Sequence, residues 1–160
     1  MHIQIFSCGG TIDKVYFDAK SEYEVGESRI LEIFRRANVS FEYSIESLMR
    51  KDSLDMNDED RALIRTRIAA SERQRFLITH GTDTMPQTAQ ELSGLRDKTI
   101  VLTGSMTPAR FEASDAEFNI GCAVGAVQSL SPGVYIAMSG RVFPAGRVRK
   151  NREAGRFEWI

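Results

Sequence analysis

Cysteine is scarce in this chain: Cys8 and Cys122 are the two among 160 residues. They form no metal-type spacing, so a reduced, cytoplasmic protein is the expectation. Histidine is equally sparse. His2 and His80 lie far apart with no supporting Cys or carboxylate cluster, so no metal is expected. Charge of one sign is lacking too. The 21 Lys and Arg against 22 Asp and Glu leave a net −1, and no overall field draws the molecule to nucleic acid or to a membrane. No apolar run approaches the ~20 residues that span a bilayer. Met1 to Phe6 leads straight into a strand pattern, without the basic, apolar and small-residue regions of a signal peptide. Repeats, low-complexity tracts and internal linkers are likewise missing. What is present is a 42% apolar share and a 27% charged share, which suits one soluble domain over residues 1–160 with a real core.

Strand and helix signals alternate. Residues 2–7 read as a strand ended by Cys8-Gly9-Gly10, where two glycines mark a tight turn. The polar stretch 12–27 reads as a loop. A helix begins at Ser28 and packs through Ile30, Leu31, Ile33 and Phe34. Residues 39–45 alternate as a half-buried strand, and 48–56 form a second polar loop. Asn57 caps a helix with Asp58, Glu59 and Asp60 in its first turn, packing through Leu63, Ile64 and Ile68. Residues 75–79 are a short apolar strand buried on both faces, followed by a helix from about Pro86 to Leu92. Residues 99–103 make a fourth strand. A long helix opens near Ser114, with Glu117 completing a capping box, and runs through Phe118, Ile120, Val124, Val127 and Leu130. Residues 134–138 make a fifth strand, and Gly140, Pro144 and Gly146 read as turns.

This alternation predicts an α/β fold: an open, mainly parallel sheet of about five strands with helices on both faces. Such sheets bind ligands beyond the carboxyl ends of the strands, where strand order reverses. For a flavodoxin-like order that point lies between the first and third strands. The turns there are Cys8-Gly9-Gly10-Thr11 and His80-Gly81-Thr82-Asp83-Thr84. Thr11 is presented on an exposed turn, but its hydroxyl needs a base or a polarising partner to act as a nucleophile. Backbone amides of the second turn, at a helix start, can hold an oxyanion. Thr84, Pro86 and Gln87 are explained as an N-cap, an early-turn proline and a capping box, and are given no chemistry. Turn-making and function both remain open for Thr82 and Asp83, and Thr11 alone reads as a turn residue. A Cys8–His80 hydrolase pair is a minor rival, since a buried strand-end cysteine and a hydrogen-bonded strand-end histidine explain both residues.

At these residues the sequence resembles the bacterial-type L-asparaginase and glutaminase family. Gly9-Gly10-Thr11-Ile12 matches its first motif, and Thr79-His80-Gly81-Thr82-Asp83-Thr84-Met85 its longer, more specific second. Ser21 to Gly26 resembles the mobile lid with its tyrosine, and Asp52-Ser53-Leu54-Asp55-Met56 the substrate-binding loop. Thr103 to Met106 through Pro108, then Asp115 and Asn119, resemble the segment after the fourth strand, and Gly146 to Lys150 the stretch ending in the catalytic lysine. The matches are collinear over almost the whole chain.

The resemblance implies the asparaginase N-terminal fold and hydrolysis of the side-chain amide of asparagine, or a related small amide. Thr11 would be the nucleophile and Tyr23, on the lid, would help with protons. Thr82, Lys150 and Asp83 would form a triad-like set, with Lys150 acting as a base where burial favours its neutral form. Asp83 would hold the α-ammonium group and Ser53 the α-carboxylate; Gly10, Gly81 and Asp55 complete the implied substrate-binding set. No cofactor or metal is implied. Two departures stand out: Asp13 where the family has a small residue, and a bulkier, more charged lid with Lys14, Tyr16, Phe17 and Lys20. Family enzymes also have a C-terminal domain, supplied across a subunit contact, so a homo-oligomer is expected. A non-catalytic amino-acid-binding or partner-subunit domain is the alternative. The basic end, Arg147 to Ile160 with Phe157 and Trp159, reads as a solvated tail or an oligomer contact, with a small RNA patch as the other option.

Overall fold

The computed structural model describes residues 1–17 and 22–160. Ser21 and Lys20, at the start of the expected lid, lie outside the described residues. Five parallel strands and one antiparallel strand build the central sheet: β1 (His2–Gly9), β4 (Glu42–Lys51), β5 (Arg75–Thr79), β6 (Thr99–Thr103), β7 (Gly133–Met138) and β8 (Arg141–Pro144). Their order is β4-β1-β5-β6-β7-β8, with β8 antiparallel to β7. The five parallel strands therefore follow the flavodoxin-like order, and the direction in which strands are added reverses between β1 and β5 as expected.

Four helices cover the sheet: α1 (Ile30–Arg36), α2 (Asp58–Ala69), α3 (Met85–Leu92) and α4 (Ala116–Ser129). Two apolar cores follow. Ile64, Ile68, Met85, Ala89 and Leu92 of α2 and α3 pack with Phe6, Phe76, Ile78, Ile100, Leu102 and Ile136. On the other face Ile30, Ile33, Phe34, Ile120, Ala123 and Val127 of α1 and α4 pack with Ile3, Ile5, Leu77 and Val101. Alternate residues of β5 and β6 thus feed opposite cores, which is why these strands are continuous apolar runs. Burying each such side chain contributes roughly 1.5–3 kcal/mol relative to leaving it in water.

Helix starts followed the sequence unevenly. Asn57 makes the full capping box of α2, accepting from the Asp60 N–H at 3.0 Å while Asp60 accepts from the Asn57 N–H at 3.0 Å. Neither α3 nor α4 has one. The Ser114 hydroxyl accepts from Ala116 N–H at 3.1 Å, and Glu117 turns away to pair with Arg36. Leu63 and Phe118, expected in the core, are exposed, because the sheet-facing stripes of α2 and α4 run through Ile64–Ile68 and Ile120–Val127.

Two hairpins lie outside the central sheet. The stretch read as a loop contains β2 (Lys14–Phe17) paired antiparallel with β3 (Glu22–Val25). The C-terminal stretch, read as a tail, forms β9 (Val148–Asn151) paired antiparallel with β10 (Arg156–Trp159). Trp159 meets Phe143 of β8 edge to face, with ring centroids 4.9 Å apart, and Phe157 is buried. Pro144 is not a turn residue but closes the edge strand β8, where no ladder bond needs its missing N–H.

Candidate active site

The turn after β1 is shaped by close approach. Between Ser7 and Gly9 the β1–β4 register slips, with Ser7 opposite Ser47 and Gly9 opposite Lys51. Gly9 and Gly10 take φ of 86° and 91°, which favour glycine. A Cβ on Gly10 would lie 2.4 Å from the Cα and N of Gly81, so the two candidate turns touch backbone to backbone. The Gly10 N–H donates to the Lys51 carbonyl at 2.9 Å. Thr11 then opens a single 3-10 turn, Thr11–Asp13, and is half-buried.

The second turn, 80–84, is fixed from below by His80. Its Nδ1 lies 2.7 Å from the Gly81 carbonyl, which can only accept, so Nδ1 carries the proton. Nε2 lies 2.8 Å from Thr88 Oγ1, which donates to it. Burial draws the ring's pKa down to about 4, against the Gly81 hydrogen bond, and the imidazole is neutral. Both nitrogens are engaged. Burial also pushes the Cys8 thiol far up, with the charges of Asp13 and Asp60 adding to it. A protonated thiol and a fully committed imidazole leave the Cys8–His80 pair without a hydrolytic role.

Lys150 reaches this turn from the separate hairpin β9–β10. Its Nζ donates to Thr82 Oγ1 at 2.8 Å and to Asp83 Oδ1 at 3.0 Å. Thr82 is buried and Lys150 nearly so, with 15% of its side chain exposed. Ser53, on a 3-10 turn after β4, is buried against Gly81. Its Oγ accepts from the Thr84 N–H at 3.3 Å, and its carbonyl accepts from the Thr84 hydroxyl at 2.8 Å. Gly10, Gly81, Ser53, Thr82, Asp83 and Lys150 are thus joined by direct contact, and Thr11 follows Gly10 in the chain.

Tyr23 and Asp55 stand further out. Tyr23 is half-exposed on β3 and makes edge contacts with Tyr16 at 5.4 Å and Phe111 at 6.1 Å. Asp55 is exposed and forms no ion pair among the described residues. Asp13 does not add a charge to the pocket. It is buried, accepting from the Ser7 hydroxyl at 3.2 Å and the Arg29 N–H at 2.9 Å. Burial pushes its carboxyl up to about 6, against those two bonds.

Three contacts were not foreseen. Thr84 bridges to Ser53 instead of capping α3 with its side chain. Lys14 pairs with Asp52 at 2.7 Å. Burial pushes the Asp52 carboxyl up, but the Lys14 and Leu54 hydrogen bonds and the charges of Lys14 and Lys150 outweigh it and hold it below the ordinary value. Arg152 binds Asp83 Oδ1 at 3.2 Å, the oxygen that Lys150 also uses. Arg152 lies in the turn just after β9, so neither strand alternation nor a motif signals this contact in the sequence. Asp115 and Asn119 brace the loop after β6. Asp115 accepts from Met106 N–H at 3.0 Å, and Asn119 Nδ2 donates to the Gly104 carbonyl at 3.0 Å. Among the described residues no Cys, His, Asp and Glu cluster could hold a metal ion, and no helix is long and apolar enough to cross a membrane.

The family description "Asparaginase, N-terminal" matches residues 2–157. A probable periplasmic L-asparaginase of Haemophilus influenzae is 32% identical over 93% of this chain and 46% of its own length. The L-asparaginase of Thermococcus kodakarensis is 30% identical over 97% of this chain and 49% of its own. The solved thermostable L-asparaginase from Thermococcus kodakarensis superposes on all of this chain and 51% of its own, with a TM-score of 0.87 and 27% identity. L-asparaginase I from Vibrio cholerae gives 0.83 and 29% over 99% of this chain and 51% of its own. The chain spans about half the length of the curated relatives it matches.

Proposed function

Because the chain belongs to the asparaginase family through its N-terminal domain, we propose that it hydrolyses the side-chain amide of asparagine, or of a related small amide, through Thr11. The observation that carries this reading is the Lys150–Thr82–Asp83 contact at the turn that abuts Gly10. The Thr11 hydroxyl attacks the amide carbon. Its proton passes to the leaving nitrogen, the C–N bond breaks and ammonia departs. Water then cleaves the Thr11 ester, releasing the carboxylate product and restoring the hydroxyl.

Lys150 donates to Thr82 Oγ1, which leaves the Thr82 hydroxyl proton free to pass to an acceptor in the pocket. The Gly10 N–H is already committed to Lys51, so the second turn supplies the oxyanion donors. In this reading Tyr23, on the β2–β3 hairpin with its ring against Tyr16 and Phe111, closes over Thr11 when substrate is bound and assists proton handling. Ser53 and Asp83 bind the polar ends of the substrate, with Gly10, Gly81 and Asp55 around them. No cofactor is invoked. A homo-oligomer is part of this reading, as is a cytoplasmic compartment, which the free thiols Cys8 and Cys122 support. The relatives' names are divided on compartment: one is a probable periplasmic enzyme, another a probable cytoplasmic one from Campylobacter jejuni.

The test is ammonia release from asparagine, glutamine and short ω-amides by the purified protein. Turnover is expected, with Thr11→Ala lowering kcat by at least ~10³-fold and Lys150→Met by at least ~10²-fold. Activity that survives Thr11→Ala, or amino-acid binding with no ammonia from any amide, overturns the reading.

A further inference from the structure

We infer that Arg152 is a specificity-determining residue that turns this pocket toward amides bearing a carboxylate and no free amine. The inference rests on the amide-hydrolase reading and names its substrate class. Lys150 Nζ and Arg152 Nη2 both contact Asp83 Oδ1, at 3.0 and 3.2 Å. One carboxylate oxygen is therefore shared by two cations, and the trio carries an excess positive charge. An ammonium group arriving at Asp83 meets an anion already neutralised and must displace one of them. The adjoining Lys14–Asp52 pair cancels itself and does not reverse the sign. Among the described residues Asp55 pairs with neither cation.

The two cations differ in availability. Lys150 is largely enclosed and occupied by Thr82 and Asp83, whereas Arg152 keeps 69% of its side chain exposed. A guanidinium has five N–H donors in a planar fork, and Asp83 takes one edge of it. The rest of the fork is left for a second acceptor and suits a carboxylate in a two-bond contact. As an exposed ion pair, Arg152–Asp83 contributes little to stability, so its consequence is where it sets the charge. The matching substrate is the monoamide of a short dicarboxylic acid, asparagine without its α-amine, which gives the dicarboxylate and ammonia by the same steps.

Succinamate and asparagine are the probes for turnover, and succinate and aspartate for binding by calorimetry. Wild-type protein should hydrolyse succinamate with kcat/KM at least equal to that for asparagine and bind succinate at least as tightly as aspartate. Arg152→Gln should raise KM for succinamate and Kd for succinate by about tenfold or more with kcat little changed, and Arg152→Lys should restore part of the loss. Asparagine turnover without succinamate turnover overturns the inference and leaves the hydrolase reading standing. Succinate binding unchanged in Arg152→Gln overturns it as well. Absence of ammonia from every amide overturns the hydrolase reading instead, and the succinate–aspartate comparison then still decides what Arg152 selects.

Discussion

Asp13 and His80 are buried titratable groups on opposite sides of the β1–β5 switch, and they respond to acid in opposite directions. His80 titrates near 4 when folded, below its ordinary 6.5, so its contribution is intact above 6.5 and is lost as pH falls toward 4. Asp13 titrates near 6 when folded, above its ordinary 3.8, so its contribution is intact below 3.8 and is lost as pH rises through 6. Between about pH 4 and 6 the two slopes nearly cancel. Asp13→Asn keeps Oδ1 as acceptor for the Arg29 N–H, offers its NH2 to the Ser7 hydroxyl oxygen, and removes one slope. Its stability relative to wild type should rise by about 2 kcal/mol from pH 4 to pH 6, read from urea unfolding at each pH. A pH-independent difference would show that the Asp13 carboxyl titrates alike in the folded and unfolded states. At this scale the sequence brought out most of the candidate residues that meet at the two turns, because the segments carrying Thr11, Ser53, Thr82 and Asp83 are local motifs. It did not reveal Thr84–Ser53 or Arg152–Asp83. Those contacts join segments far apart in the chain, and no local signal marks the partner.

At the scale of elements, the parallel strands and α2 were legible because long apolar runs and a capping box are strong signals. The two hairpins were not. Each has strands of four residues, too short to show period-2 alternation above the background of polar residues. Yet the C-terminal hairpin carries the amine. Phe157, buried beneath it, pairs in register with Lys150. Phe157→Ala should cost roughly 3 kcal/mol in urea unfolding and lower kcat well beyond any change in KM. Full activity in this variant would mean that Lys150 does not depend on the hairpin for its position. The turn pair makes a sharper demand. Gly10→Ala would drive a Cβ into Gly81 at a backbone conformation alanine resists. We expect a loss of at least ~2 kcal/mol and of all ammonia release, measured on the same preparation.

Across the whole molecule, two cores share one sheet, and β5 and β6 contribute to both. Neither core can be lost while the other persists. Calorimetric and van't Hoff enthalpies should therefore agree in a single thermal transition, and a ratio well above one would reveal separable halves. Overall charge balance was readable from composition, but the local positive excess around Asp83 was not, since it depends on which three groups the fold brings together.

The Lys150–Thr82 contact joins residues 68 apart, and its lysine hangs on a hairpin outside the main sheet. Closing so long a loop is slow compared with forming the helices and neighbouring strands. After dilution from urea, helix signal should therefore return first. On the proposed function, ammonia release should lag until the hairpin docks, in step with the fluorescence of Trp159, so a newly refolded molecule passes through an interval in which it has its shape but the Lys150 amine has not yet reached Thr82.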